Sequence, residues 1–394
     1  MATLMFRQFT HLNVIKACGV AMLEKLFDKF RPSIAAAKRP FPVPSQGEKA
    51  EHAYFRALLQ IFREPELLPD DVCDVLYQVD ALSSAETADR LTDLAAAKGI
   101  ALQNEVDPTE TEVALQIWLA KPDVFKEEYD AQKLINLRTF TKFLSKEAGP
   151  KAFSKPTAKQ VAKMADAMRP WFKKFHRGED IWITPSEMKG EWWFLIDHGE
   201  RFNRTGKIEN RQRKMMHFRP DKDDVLVYDP TTNAIRVCAG ANGVKRQFRD
   251  AFGLVFFGSE KYFNKEEVFR FEPIVEDPDK ALEPPDGLKG IEEIRLVEMR
   301  YFAGGKFNEV VTRQCTDVVA MYQTQHWTLP DGDKVHRMCF EVLFDGEVKP
   351  RPVKITSRGT IQIARDCDHV VVHAWLLGRN IELASGEARN VGKK

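Results

Sequence analysis

A chain of 394 residues is longer than one hydrophobic core normally serves, so we expect two or three domains. Its six cysteines are widely spaced with no CxxC pair, which excludes a disulfide-rich secreted scaffold, and no run of about 20 apolar residues predicts a membrane span. The formal net charge of +1 hides an uneven distribution, with +7 over residues 151–177, +6 over residues 201–222 and −12 over residues 48–131. These features predict a cytoplasmic protein with reduced thiols and a polarised surface for a charged partner.

The N-terminal half is predicted to be helical. Apolar residues at helical spacing predict a helix over residues 6–30, and three prolines predict a linker over residues 38–47. From Glu48 to about Leu144 the apolar positions again recur at helical spacing. The sequence therefore predicts an N-terminal helix with a Pro-rich linker at residues 1–47, followed by an acidic domain of five or six helices at residues 48–148.

A central mixed α/β domain is predicted at residues 149–275. Lys155-Pro156-Thr157 predicts the start of a helix that runs to about Phe175. Short apolar or alternating runs then predict strands at Ile181–Ile183, Trp192–Ile196, Val225–Tyr228, Ile235–Cys238 and Phe269–Phe271. A short helix is predicted at Gln247–Phe252.

A β-rich C-terminal domain is predicted at residues 288–394, after the proline-rich segment 276–287. Its strands are predicted at Glu293–Phe302, Met338–Phe344, Val353–Ile355, Thr360–Ala364 and His369–Leu376. The predicted fold class is therefore α+β multidomain, with a helical N-terminal half, a central mixed α/β domain and a β-rich C-terminal domain.

Two basic segments of the central domain indicate a surface for phosphate. Lys155, Lys159 and Lys163 share one face of helix 156–175, and segment 201–222 is predicted to be an exposed loop whose arginines suit bidentate phosphate contacts. Neighbouring tryptophans are candidates for stacking on unpaired bases. Nucleic-acid binding is predicted for Lys159, Lys163, Lys173, Lys174, Arg201, Arg204, Lys207, Arg211, Arg213, Lys214 and Arg219. Docking of the basic loop on the acidic domain or on another protein, and a small phosphorylated ligand, stay open as alternatives.

Ionisable side chains beside the basic loop suggest a second function. Residues 197–200 follow a predicted strand, and acidic residues lie just before and just after the next strand. Carboxylates placed in this way are ligands for Mg²⁺ in phosphodiester cleavage, although the Glu-x-Lys pattern of restriction-type nucleases is missing. The alternative hypothesis is a metal-dependent nuclease with catalytic residues Asp197, His198, Glu200, Asp224 and Asp229.

The remaining motifs are weaker. Cys367, His369 and His373 lie on one side of a predicted strand and suit the start of a zinc site, but no fourth ligand is evident and a structural histidine pair is favoured. Residues 240–246 combine glycines with Lys245 and Arg246 but lack the Walker spacing. No cofactor is predicted, apart from Mg²⁺ if the protein is a nuclease.

The leading prediction is a nucleic-acid-binding protein without catalysis of its own. The central basic surface is expected to hold the phosphate backbone, the acidic helical domain to recruit a protein partner, and no membrane to be involved. The alternatives are the nuclease and a protein–protein adaptor or inhibitor. A mobile-element or antiphage system is a hypothesis of context that no particular residue carries.

Overall fold

The computed structural model describes residues 6–38, 40–103, 108–135, 139–209, 212–263 and 268–386. The chain divides into two compact units, residues 1–133 and residues 134–394. The first is helical and the second contains a large antiparallel sheet, so the predicted α+β multidomain class is confirmed. Across the described ranges, no helix is long and apolar enough to cross a membrane, and no disulfide is present.

The first unit is a bundle of helices around one apolar core. Its helices are α1 (Leu12–Asp28), α2 (Arg31–Ala36), α3 (Glu48–Arg63), α4 (Asp70–Ala81), α5 (Ala85–Ala97), α6 (Glu110–Ala120) and α7 (Pro122–Ile135). Helix α6 begins with a capping box between Thr109 and Glu112, and all residues from Thr111 to Trp118 are buried. A helix that is buried on every side belongs at the centre of a bundle, so α6 is the central helix of this unit.

The second unit is built on a ten-stranded sheet and a separate two-stranded ribbon. The strands are β1 (Thr139–Leu144), β2 (Ile181–Met188), β3 (Glu191–Gly199), β4 (Asn203–Glu209), β5 (Gln212–Phe218), β6 (Asp221–Asp229), β7 (Ala234–Cys238), β8 (Ile291–Gly304), β9 (Glu309–Gln314), β10 (Val335–Phe344), β11 (Arg351–Thr356) and β12 (Thr360–Ile363). The order in the large sheet is β2-β3-β6-β7-β1-β12-β11-β10-β8-β9, and β4 pairs only with β5.

Helices cover both faces of the sheet. They are α8 (Ala158–Lys174), α9 (Asn242–Phe257), α10 (Glu272–Glu276), α11 (Pro278–Leu282), α12 (Val318–Thr324) and α13 (His369–Gly378). Phe194 of β3 packs in a core with α8 and α9, whereas Trp193 and Leu195 join the core that contains α13. Because successive strand residues point to opposite faces, the apolar run of β3 fills both cores.

The structure corrects four local predictions. Residues 139–144 form strand β1 rather than helix, and residues 369–376 lie in helix α13 rather than in a strand. Segment 201–222 is not a loop, because it contains the paired strands β4 and β5. Phe269 makes only an isolated bridge to Glu382. The strands predicted for the central and C-terminal domains share one sheet, joined through β1, which pairs with β7 and β12.

Candidate nucleic-acid interface

Residues 201–209 and 212–219 form a two-stranded ribbon that extends the pairing of β3 and β6, and we call these residues the basic arm. Strands β3 and β6 pair as far as Gly199 opposite Asp221, and the Glu200 N–H donates to the Pro220 carbonyl over 2.7 Å. The ladder resumes between β4 and β5 from Asn203 opposite Phe218. The arm is therefore a two-stranded ribbon anchored in the central sheet. Arg211, for which the sequence predicts nucleic-acid binding, lies outside the described residues.

The base of the arm is fixed by Arg219. Its Nη1 donates to the carbonyl oxygens of His176 and Glu200, the second over 2.8 Å. The side chain lies against Gly199 and Gly178, and a Cβ atom added at Gly199 would stand 2.6 Å from the Arg177 carbonyl oxygen. The sequence predicts that Arg219 binds phosphate. In the structure its guanidinium instead donates to two backbone carbonyl groups and anchors the arm.

A cleft of about 590 Å³ lies beside the arm, where the C-terminal end of α8 meets the start of α9. We call it the cationic cleft. Its lining includes the arginines Arg177, Arg201 and Arg246, and the aromatic rings of Trp171 and Phe175, whose centroids are 4.4 Å apart. The volume falls in the range of about 300–1,000 Å³ typical of ligand sites.

The start of α9 contributes backbone N–H groups to this cleft. Helix α9 follows β7 after a short glycine-containing turn, and within the described chain its N-cap Ala241 supplies no side-chain hydrogen bond. The first N–H groups of a helix have no partner in the helix, and the helix dipole favours an anion there. Gly243 permits the close approach of Trp171, because a Cβ atom at Gly243 would lie 3.0 Å from Trp171 Cζ2.

Two carboxylates partly offset the cations of the cleft. Asp250 belongs to the lining, and its Oδ1 forms an ion pair with Arg249 Nη2 at 2.6 Å. Glu200 Oε1 lies 3.6 Å from Arg177 Nη1 and 3.5 Å from Lys222 Nζ, so it is shared between two cations. Among the described residues no acidic side chain forms an ion pair with Arg201 or Arg246, and both are exposed. The cleft therefore keeps a net positive charge for an anionic ligand.

Lys245 follows the same turn but does not face the cleft. Its Nζ donates to Thr141 Oγ1 over 2.9 Å, and burial lowers the pKa of this amine, although the nearby Cys238 and Asp224 oppose that effect. The lysine thus ties α9 to strand β1.

The structure disperses the predicted cations of α8. Lys159 and Lys163 are exposed, but Lys163 lies twelve residues before Phe175, or about 18 Å along the helix axis. Lys173 forms an ion pair with Glu179 at 2.7 Å. Lys174 lies nearer the cleft, with its Nζ 6.0 Å from the centroid of the Phe175 ring.

The predicted catalytic residues do not converge on one site. His198 and Asp224 are buried inside the sheet, where His198 Nε2 lies 2.9 Å from Asp224 Oδ2 and the Phe172 ring packs on the imidazole at 4.8 Å. Asp197 is next to His198 on β3, so its side chain points to the opposite face of the sheet, and Asp223 is its register partner on β6. In the part of the chain that the structure describes, no three His, Cys, Asp or Glu side chains are placed to hold a metal ion.

Asp229 serves the turn after β6. It is five residues from Asp224, or about 17 Å along the strand. Burial by itself would raise the pKa of Asp229, but hydrogen bonds from Thr231 and Thr232 outweigh burial and lower it. The carboxylate is thus engaged in a turn, as Asp commonly is.

The histidines of the predicted zinc site lie on helix α13, not on a strand. His369 and His373 are one turn apart with stacked rings at 4.5 Å. Arg236 Nη1 donates to His369 Nδ1 over 2.7 Å, and His373 Nδ1 donates to Glu382 Oε2 over 2.5 Å. Cys367 is exposed on the preceding 3₁₀ turn. Burial lowers the pKa of both histidines.

Glu382 links these histidines to a buried lysine. Its carboxylate also forms an ion pair with Lys142 of β1, and both side chains are buried. Burial would raise the pKa of Glu382, but His373 and Lys142 hold it at about 2. Lys142, Glu382 and His373 therefore form a network of ion pairs and hydrogen bonds inside the protein.

Sequence alone does not single out Arg177 or Arg246 as cleft residues. The signal for Arg246 is a glycine-containing turn between a strand and a helix, followed by Lys245 and Arg246, but this turn lacks the Walker spacing. Arg177 is one of eight basic residues in the segment 151–177. Neither the family models nor the curated proteins compared with this chain contain a significant match to it.

Proposed function

We propose that the chain binds nucleic acid through the cationic cleft and the basic arm, holding the phosphate backbone without catalysis of its own. The observation that carries this proposal is the convergence of Arg177, Arg201 and Arg246 on the start of α9. These residues come from three segments of the chain. Guanidinium groups and helix N–H groups are both preferred ligands of phosphate.

Binding at the cleft would proceed through phosphate and ring contacts. Arg201 and Arg246 are exposed, so they can pair with phosphate oxygens, with the α9 N–H groups as further donors. Trp171 and Phe175 form an apolar wall on which a sugar or an unpaired base can pack. This combination of cations and rings is typical of surfaces that track a nucleic-acid backbone.

The extent of the positive surface favours a polymer over a small phosphorylated ligand. Each seven-residue strand of the arm spans about 23 Å, and Arg204, Lys207, Arg213 and Lys214 are exposed along it. Arg201 belongs to both the arm and the cleft lining. A continuous polyanion engages both surfaces at once, which a single nucleotide does not.

A protein partner is proposed for the acidic helices of the first unit. Residues 48–131 contain nineteen acidic and seven basic side chains. Such a surface repels nucleic acid and attracts basic protein segments. In this arrangement the two units have different partners.

The test compares two double variants with equal loss of charge. Arg201→Ala/Arg246→Ala removes two exposed cations of the cleft, and the control Arg300→Ala/Lys306→Ala removes two exposed cations on β8 and its turn, near the opposite edge of the sheet. We expect fluorescence anisotropy to show about tenfold or greater weakening for the cleft variant only. The slope of log K against log salt should fall by about 1.8, the value for two phosphate contacts. Equal affinities and slopes for the two variants would overturn the assignment of the cleft.

A further inference from the structure

The basic arm has two distinct faces. Residues directly opposite each other in an antiparallel ribbon point to the same side, and successive pairs alternate. Ile208 is opposite Arg213, and Arg204 is opposite His217, so both pairs share one face. Lys207 is opposite Lys214 in the pair next to Ile208 and Arg213, so these lysines lie on the other face. We call these the arginine face and the lysine face.

Both faces of the arm are exposed to solvent. Every described side chain from Arg201 to Ile208 and from Gln212 to His217 is exposed, and Ile208 is 82% exposed. An isolated two-stranded hairpin is marginally stable in water, and here the β3–β6 ladder and the Arg219 anchor hold its base. A ribbon that buries neither face has no role in the core.

The arginine face carries the chemistry that reads base edges. Arg204 and Arg213 share it with the apolar side chains of Ile208 and Met215. Gly206 lies on the same face, and Arg213 Nε is 3.6 Å from the position that a Cβ atom at Gly206 would take. Arginine pairs with guanine O6 and N7, and apolar side chains contact the thymine methyl group.

We propose that the basic arm inserts into the major groove of duplex DNA with its arginine face toward the base pairs. This inference rests on the proposed function and narrows its ligand to B-form DNA. The major groove of B-DNA, about 12 Å wide and about 8.5 Å deep, admits a two-stranded ribbon. The major groove of A-form RNA is too narrow for side chains to read. Arg201 at the base of the arm then places a phosphate in the cationic cleft beside the groove.

The two faces provide matched variants. Arg204→Ala/Arg213→Ala and Lys207→Ala/Lys214→Ala each remove two exposed cations from the same five-residue span of the ribbon. An arm that acts by charge alone would lose equal affinity with either variant. Insertion into the groove predicts unequal loss, because only one face touches the bases.

The experiment measures binding to a random-sequence DNA duplex, to an RNA duplex and to single-stranded DNA. We expect wild-type protein to prefer the DNA duplex, and the arginine-face variant to bind it about tenfold more weakly than the lysine-face variant. Methyl green, which occupies the major groove, should displace the protein, whereas netropsin in the minor groove should not. Unchanged melting temperatures confirm that both variants fold.

The outcomes separate this inference from the proposed function. Equal losses for the two faces, or displacement by netropsin alone, would overturn insertion of the arm while leaving backbone binding at the cleft intact. Preference for RNA or single strands would do the same. Absence of binding by wild-type protein to every probe at low salt would overturn both.

Discussion

Replacing His369 by Gln should make the second unit less sensitive to acid. The imidazole is buried and accepts a hydrogen bond from Arg236, whose positive charge opposes protonation of the ring. Burial, then Arg236, His373 and Lys142, lower the pKa of His369 well below its usual value of 6.5. A glutamine carbonyl can accept the same hydrogen bond but has no proton to gain.

The magnitude follows from linkage. A histidine whose folded pKa is depressed contributes stability above its unfolded pKa, and this contribution is lost as the pH falls. The pKa of an unfolded histidine is about 6.5. At pH 5.5, one unit lower, protonation of one such histidine in the unfolded state lowers the free energy of unfolding by about 1.4 kcal/mol. The wild-type protein should therefore lose about 1.4 kcal/mol more than His369→Gln between pH 7.5 and pH 5.5.

Urea unfolding followed by tryptophan fluorescence measures this difference. Six of the seven tryptophans lie in the second unit, so the signal reports mainly on that unit. The control is the same substitution at an exposed histidine, His336→Gln on β10. If His369→Gln loses as much stability on acidification as the wild type does, His369 is not held neutral and the reasoning is wrong.

Two further substitutions test the packing that supports the sites. Gly199→Ala should destabilise the protein by about 1–3 kcal/mol and weaken DNA binding, because its Cβ would clash with Arg219 and the Arg177 carbonyl oxygen. Thermal unfolding and anisotropy measure the two effects, and an unchanged melting temperature would contradict the close packing. Glu382→Gln should lower the free energy of unfolding by about 3–5 kcal/mol, since it leaves Lys142 buried without its counter-charge. Urea unfolding measures this loss, and a loss below about 1 kcal/mol would show that Lys142 finds another partner.

Local sequence signals predicted many elements of the fold. Thr157 caps α8 through a capping box with Gln160, so the predicted helix start is confirmed. Strands β3, β6, β7 and β10 lie where apolar runs bounded by turn residues predict them. These signals are carried by neighbouring residues, so a single sequence contains them.

Long-range pairing could not be predicted in the same way. Strand β1 pairs with β12, which lies more than 200 residues later, and this contact unites the predicted central and C-terminal domains in one sheet. In helix α13, the β-branched run Val370–Val372 favoured a strand. The buried residues His369, Val372 and Leu376 recur at helical spacing, and burial outweighed a propensity of about 0.7 kcal/mol or less per residue.

The candidate site shows the same limit. The basic segments 151–177 and 201–222 both contribute to the cleft, through Arg177 and Arg201. They do so at the end of α8 and not along the side of the helix that carries Lys159 and Lys163. The third arginine, Arg246, comes from a segment outside the two basic stretches of residues 151–177 and 201–222. Whether His198 faces solvent or the core depends on strand register and on Phe172 packing, which local sequence does not specify.

The most direct test of nucleic-acid binding is a salt series of anisotropy measurements with labelled DNA and RNA, single and double stranded, in the presence of Mg²⁺. The labelled strands are run on a gel afterwards. We expect binding that weakens steeply with salt and is tightest for duplex DNA, and we expect the strands to remain intact. No binding at low salt would contradict it, and cut strands would contradict binding without catalysis.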